Sequence, residues 1–156
     1  MLWAPQAALA TVQIPDTIYI DGQKHFLFST PLEQYYGPHN PRPPFRYPNT
    51  ATWRGYLATW EIDRGALYLK AIRAWTPAGE VGLEALFPGH KGRVPATWFS
   101  GRLQVPQGER LRFSMPHPIY EKYLIITVDK GRVTRQEVID NPEGATPRGD
   151  DLFKSP

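Results

Sequence analysis

Three short reversals of similar make-up limit what this chain can fold into: Asp21-Gly22, Asp63-Arg64-Gly65 and Asp129-Lys130-Gly131. Each ends in glycine, which enters the positive-φ region without steric penalty, and each separates runs whose apolar residues suit strands. Period-two alternation sends successive side chains to opposite faces, so these segments predict β-hairpins. The first spans 17–29, with Ile18, Tyr19 and Ile20 entering the turn and Phe26, Leu27 and Phe28 leaving it. The second spans 52–73 and the fourth 122–139; Asp63-Arg64-Gly65 suits a type I turn closed by a left-handed glycine, and Asp129-Lys130-Gly131 repeats that chemistry. A third hairpin is expected over 98–115, reversing at Pro106-Gln107-Gly108, where proline presets φ and glycine completes the turn.

Alternation also assigns faces. Tyr56, Ala58, Trp60 and Ile62 form the better core face of one strand, with Leu67, Leu69 and Ala71 opposite. In the third hairpin Leu103, Val105, Leu111 and Phe113 point inward, while Arg102, Gln104, Arg110 and Arg112 point out. One-sided burial of four hairpins predicts a mainly β single domain of about eight antiparallel strands, a barrel or a sandwich, with one or two short helices. Thr30-Pro31-Leu32-Glu33 carries a capping Thr, Pro at the first helical position and Glu at the third, predicting a turn of helix through Tyr36; Leu83 to Phe87 predicts another. Seventeen Pro, thirteen Gly and no long helical period agree with short strands and tight turns. The domain is placed at 17–140, after an N-terminal extension (1–16) and before a flexible C-terminal tail (141–156). Between strands, 37–52 is a Pro-rich loop of a length associated with functional lids or disorder.

With no cysteine the chain has no disulfide and no thiolate ligand or nucleophile, which predicts a fold suited to a reducing compartment, the cytoplasm by default. Its start lacks the basic region of a secretory signal, and the apolar run from Tyr123 to Val128 is far too short to span a bilayer, so no membrane role is expected. A formal net charge of +3, spread over nearly every hairpin, describes solvated strand faces rather than a basic stripe.

Thr52-Trp53-Arg54-Gly55-Tyr56, then Ala58-Thr59-Trp60-Glu61-Ile62, Trp98-Phe99-Ser100-Gly101 with Leu103, Pro106 and Gly108, and Tyr120-Glu121 form a motif set. It resembles one found in small uncharacterised bacterial proteins rich in β-structure. The resemblance covers roughly 52–133; it implies a bacterial origin and a discrete domain, and brings no activity with it.

Among chemistry-bearing residues, His25, His39, His90 and His117 have no partner at the i, i+2 or i, i+4 spacing that puts two ligands on one surface, so no metal is expected, and no cofactor motif is present. Ser100-Gly101 lacks the surroundings of a nucleophile elbow, and Gly89 to Arg93 reads as a surface turn. If the domain is an enzyme or small-ligand carrier, Glu61 and Glu121 are its candidate acid and base, with Arg54 beside them in a barrel pocket and the Glu61 pKa raised by burial beside Trp60. The preferred expectation is a binding protein without catalysis, in particular an immunity protein neutralising a cognate bacterial toxin. Its expected contact residues are Tyr35, Tyr36, Phe45, Arg46 and Tyr47, with Trp53 and Arg54, because Tyr, Trp and Arg are enriched where proteins dock. Nucleic acid is disfavoured as partner by the small charge excess, although Arg46-Tyr47, Trp53-Arg54 and Arg112-Phe113 interleave rings with cations. Arg148-Gly149-Asp150 is a chance tripeptide, and oligomeric state is left open.

Overall fold

The computed structural model describes residues 11–147; most of the expected N-terminal extension, and the tail after residue 147 with its Arg148-Gly149-Asp150 tripeptide, lie outside the described residues. Among the described residues nine strands form one mixed sheet: β1 (Asp16–Ile20), β2 (Gln23–Leu27), β3 (Tyr56–Asp63), β4 (Ala66–Thr76), β5 (Gly79–Val81), β6 (Val94–Pro95), β7 (Gly101–Arg112), β8 (Ile119–Asp129) and β9 (Arg132–Asp140). The order along the sheet is β2-β1-β3-β4-β9-β8-β7, with β5 and β6 both paired to β4. All neighbours are antiparallel except β1 and β3, which run parallel with Ile18 opposite Trp60. The mainly β domain is therefore as the sequence predicts, with short β5 and β6 as additions.

Three of the four hairpins form. The first turns at Asp21-Gly22 as expected, and the other two turn more tightly than expected: Asp63 pairs with Ala66 and Asp129 with Arg132, leaving the two-residue loops Arg64-Gly65 and Lys130-Gly131. All four loop residues have positive φ, as do Asp21 and Gly22, a twist that matches right-handed strands better than a type I turn does. The third hairpin does not form. β7 runs unbroken from Gly101 to Arg112 and pairs along its length with β8, Leu103 facing Ile126 and Val105 facing Leu124. Gly108, at φ +74°, makes an irregularity in that ladder instead of a reversal, and the Glu121 carboxylate accepts the Glu109 N–H there at 3.0 Å. Pro106 is tolerated because β7 is the last strand of the sheet and has a side that need not donate. Leu111 and Phe113, expected inside, are consequently exposed at the far end of β7.

The two end strands approach each other. The Phe28 N–H donates to the Gln104 carbonyl at 2.8 Å, and the Gln104 N–H donates to Ser29 Oγ at 2.9 Å. Among the described residues no ladder joins β2 to β7, so the sheet is strongly curled but is not a closed barrel. Ile18, Leu27, Tyr56, Trp60, Leu67, Leu69, Leu103, Val105 and Ile126 fill its interior and are essentially inaccessible to water. A register shift between Thr59 and Trp60 changes the phase of β4, so Ile72 and Ala74 are buried and Ala71, assigned to the core by alternation, faces solvent. Of the two helices, Pro31–Gln34 is a 3₁₀ turn whose Thr30 makes no side-chain cap, contrary to the capping role expected of it, and α1 (Leu83–Leu86) is a single turn. Among the described residues no helix is long and apolar enough to cross a membrane.

Candidate interaction surface

The Pro-rich loop is built around two arginines. Asp16 opens β1 with the same parity as Ile18, so its side chain turns inward and is fully buried. Its Oδ1 accepts from Arg54 Nη2 at 2.6 Å and from the Ala58 N–H at 3.0 Å, and its Oδ2 accepts from Trp60 Nε1 at 3.0 Å. Burial pushes this carboxyl above the usual carboxylate range, against the opposing pull of Arg54 and the N–H donors. Arg54 Nη1 also donates to the Ile14 carbonyl at 2.8 Å, so one guanidinium ties the end of the loop to the segment before β1. Residues 13–16 thus pack as part of the domain, and so does Asn141, buried beyond β9, whose Nδ2 donates to the Tyr120 and Ala145 carbonyls.

Arg42 secures the middle of the loop. Its Nη1 donates to Glu33 Oε1 at 2.7 Å and its Nη2 to the Arg54 carbonyl at 2.8 Å. The same guanidinium lies over the rings of Phe45, Tyr36 and Tyr56 at 5.1, 5.7 and 5.9 Å. Tyr56 Oη donates to Glu33 Oε1 at 2.7 Å. Burial raises the Tyr56 phenol far above its ordinary value, helped by the Asp16 and Glu33 charges, and raises Tyr36 to about 12; both stay protonated at neutral pH. Gly55 completes the clamp at φ +78°, its carbonyl accepting the Trp75 N–H at 3.0 Å while the Arg46 N–H donates to the Trp75 carbonyl at 2.8 Å.

These contacts divide the seven expected contact residues into two groups. Tyr35 packs against Phe87 and Trp98 at centroid distances of 5.0 and 4.9 Å, Tyr36 packs edge-on to Phe45, and Arg54 is committed to Asp16. Those four are scaffold. Arg46, Tyr47 and Trp53 remain outward, with Tyr47 64% and Trp53 58% exposed. Ile14, also exposed, lies on the neighbouring segment, where its N–H donates to the Ala51 carbonyl and Gln13 Oε1 accepts the Trp53 N–H.

Glu61 and Glu121 are not brought together. In the sheet order β4 and β9 separate their strands, and the interior expected to hold a shared pocket is occupied by the hydrophobic core cluster. Glu61 faces outward and accepts from Arg93 Nη1 at 2.6 Å and Lys70 Nζ at 3.1 Å. Those bonds, Arg93 first, hold its carboxyl below the usual range, the reverse of the expected upward shift. Arg93 also binds Asp63 and stacks 3.8 Å above the Tyr68 ring, so this outer face is an ion-pair network.

Alternation could have flagged Asp16, which shares the parity of Ile18, but Arg42, Glu33, Arg93 and His117 carry no local signal. His117, which has no metal-ligand spacing to another histidine, stacks on Phe28 at 4.3 Å with rings 5° from parallel. It lines a cleft of about 180 Å³ with Met115, Pro118 and Tyr123, and its Nδ1 is buried with no hydrogen-bond partner among the described residues. Burial, and secondly the Arg54 charge, lower its pKa to about 4. The unfolded chain binds this proton near pH 6.5, so its contribution to stability is complete above that value and is lost as pH falls toward 4. After allowance for solvent screening of a partly exposed ring, about 1–2 kcal/mol should disappear between pH 7 and 4.5. Urea unfolding at both pH values should show a smaller loss in His117→Phe, which keeps the stack without the titration; equal losses would remove His117 as the cause. No protein-family model matches this chain, and neither a curated protein nor a solved structure matches it.

Proposed function

We propose that this domain is a protein-binding module without catalysis, docking its partner on Tyr47, Trp53 and Arg46 with Ile14 alongside. The observation that carries the reading is the combination of exposure and fixation. Trp53 and Tyr47 project into solvent from backbone held by the Arg54–Asp16 and Arg42–Glu33 pairs and by the Trp75 backbone bonds. Large rings presented on a rigid loop bring contact area to a partner with little ordering entropy left to lose. A protein partner fits better than a phosphate backbone, because Asp16 and Glu33 neutralise the two neighbouring guanidiniums, and Arg46 is left as the loop arginine without an ion pair among the described residues. In the particular form we favour, the module acts in the bacterial cytoplasm as an immunity protein, and its partner is a cognate toxin.

The test compares the full chain with the Trp53→Ala/Tyr47→Ala variant as baits in lysate of the source organism, followed by titration of the purified captured protein. Both side chains are exposed, so the variant should match the parent in urea unfolding to within about 0.5 kcal/mol. It should bind the partner at least tenfold more weakly. A partner that binds both baits equally well would end the assignment of this surface, and a specific partner whose toxicity to cells is unaffected by the domain would end the immunity reading.

A further inference from the structure

β9 has one free edge. From Lys122 opposite Asp140 to Thr127 opposite Arg135 its inner side is paired with β8, whereas β4 touches it only at its start, where Ala66 pairs with Arg132 and the Val133 N–H donates to the Gly65 carbonyl. Beyond that point β4 is occupied by β6 and β5. Among the described residues no backbone group bonds to the outer edge of 134–140, and Val138 within it is 55% exposed. An open strand edge is a template for another strand unless its side chains prevent pairing.

The sequence of this edge, Thr134-Arg135-Gln136-Glu137-Val138, complements itself when read antiparallel. With a twofold axis through Gln136, each Arg135 faces Glu137 of the second copy, twice, and each Thr134 faces Val138. Arg135 and Glu137 already pair within the strand at 3.0 Å, so the four charges would close into one ring. Moving the axis one residue either way sets Arg135 against Arg135 or Glu137 against Glu137, which like-charge repulsion opposes. Axes between residues are excluded, since a symmetric antiparallel pair must match outward-pointing backbone groups with each other. A foreign strand lacking this pattern meets unpaired charge, so the same side chains that guard the edge admit a copy of themselves.

We propose that the free edge of β9 is a homodimer interface, joining two copies of this chain antiparallel about Gln136. A five-residue ladder is small for a protein interface, so the association is reversible and depends on concentration. Sedimentation velocity on the full chain from about 10 µM to about 1 mM, a range spanning weak association, should show the mass rising from 17.8 kDa toward twice that value, less steeply in high salt. Arg135→Glu alone and Glu137→Arg alone each place like charges across the axis and should weaken the dimer at least tenfold. Arg135→Glu with Glu137→Arg restores opposite charges and should recover it. All three changes are at the strand edge, and matching circular dichroism spectra and urea midpoints confirm that each variant folds. A wild-type chain that stays monomeric throughout, single variants that associate as well as the parent, or a double variant as monomeric as the singles would each overturn the proposal.

Discussion

Asp16→Ala should remove about 3–5 kcal/mol of stability, the cost of stranding a buried charge. The substitution leaves Arg54 without its counter-ion and deprives both the Ala58 N–H and Trp60 Nε1 of their acceptor in the buried interior. A domain of this size has roughly 5–15 kcal/mol in total, so the variant should show a greatly lowered urea midpoint or be largely unfolded in buffer. Asp16→Asn separates two contributions, because it retains an acceptor oxygen while removing the charge, and it should fall between the parent and Asp16→Ala. Adding Arg54→Met to Asp16→Ala should recover part of the loss by withdrawing the stranded cation. A loss below about 1 kcal/mol for Asp16→Ala would mean that water reaches this pair and that the loop is not anchored by it.

Gly55→Ala tests the same anchor from the backbone side. At φ +78° an alanine is strained, and its Cβ would sit 2.6 Å from Phe45 Cβ and 3.1 Å from the Arg46 carbonyl oxygen. Neither neighbour is the far end of a flexible chain, so relief requires the 45–46 backbone to move. Strain plus overpacking predicts a loss of about 3 kcal/mol. Moving that backbone also displaces Tyr47, the next residue along, so partner binding should weaken even though no contact residue is altered. Unchanged stability together with unchanged binding in Gly55→Ala would show that the loop is not clamped against β4.

How legible these features are in the sequence depends on where the deciding contacts lie. The reversals at Gly22, Gly65 and Gly131 were readable because positive φ is a local demand that few residues meet, whereas the tighter loops that also put Arg64 and Lys130 at positive φ were not. Pro106-Gln107-Gly108 satisfies the same local demand, yet the outcome there is set by the long apolar match between β7 and β8, so the glycine became an irregularity in a continuous strand. Ala71 was misplaced for a related reason: strict alternation cannot register a shift that the partner strand imposes. In the candidate surface, residue type could only nominate Trp53 and Tyr47, since large rings in a loop need either packing or a partner. Their neighbours Tyr35, Tyr36 and Phe45 belong to the same types and were indistinguishable until Phe87, Trp98 and Arg42 were seen to cover them. The Glu61 environment was equally hidden, because Arg93 approaches it from 32 positions away.

The parallel seam between β1 and β3 fixes the order in which this polypeptide can mature. As the chain is synthesised, β1 and β2 emerge before β3 and pair with each other as a two-stranded ribbon, which is marginal in water on its own. Trp60, the donor that finishes the Asp16 environment, lies 44 positions later, so the ribbon must wait for β3 with an unshielded carboxylate and an unpaired edge. The N-terminal hairpin is therefore the section most open to proteases and to mispairing in a growing chain, and in the finished domain it is held in place by strands synthesised after it.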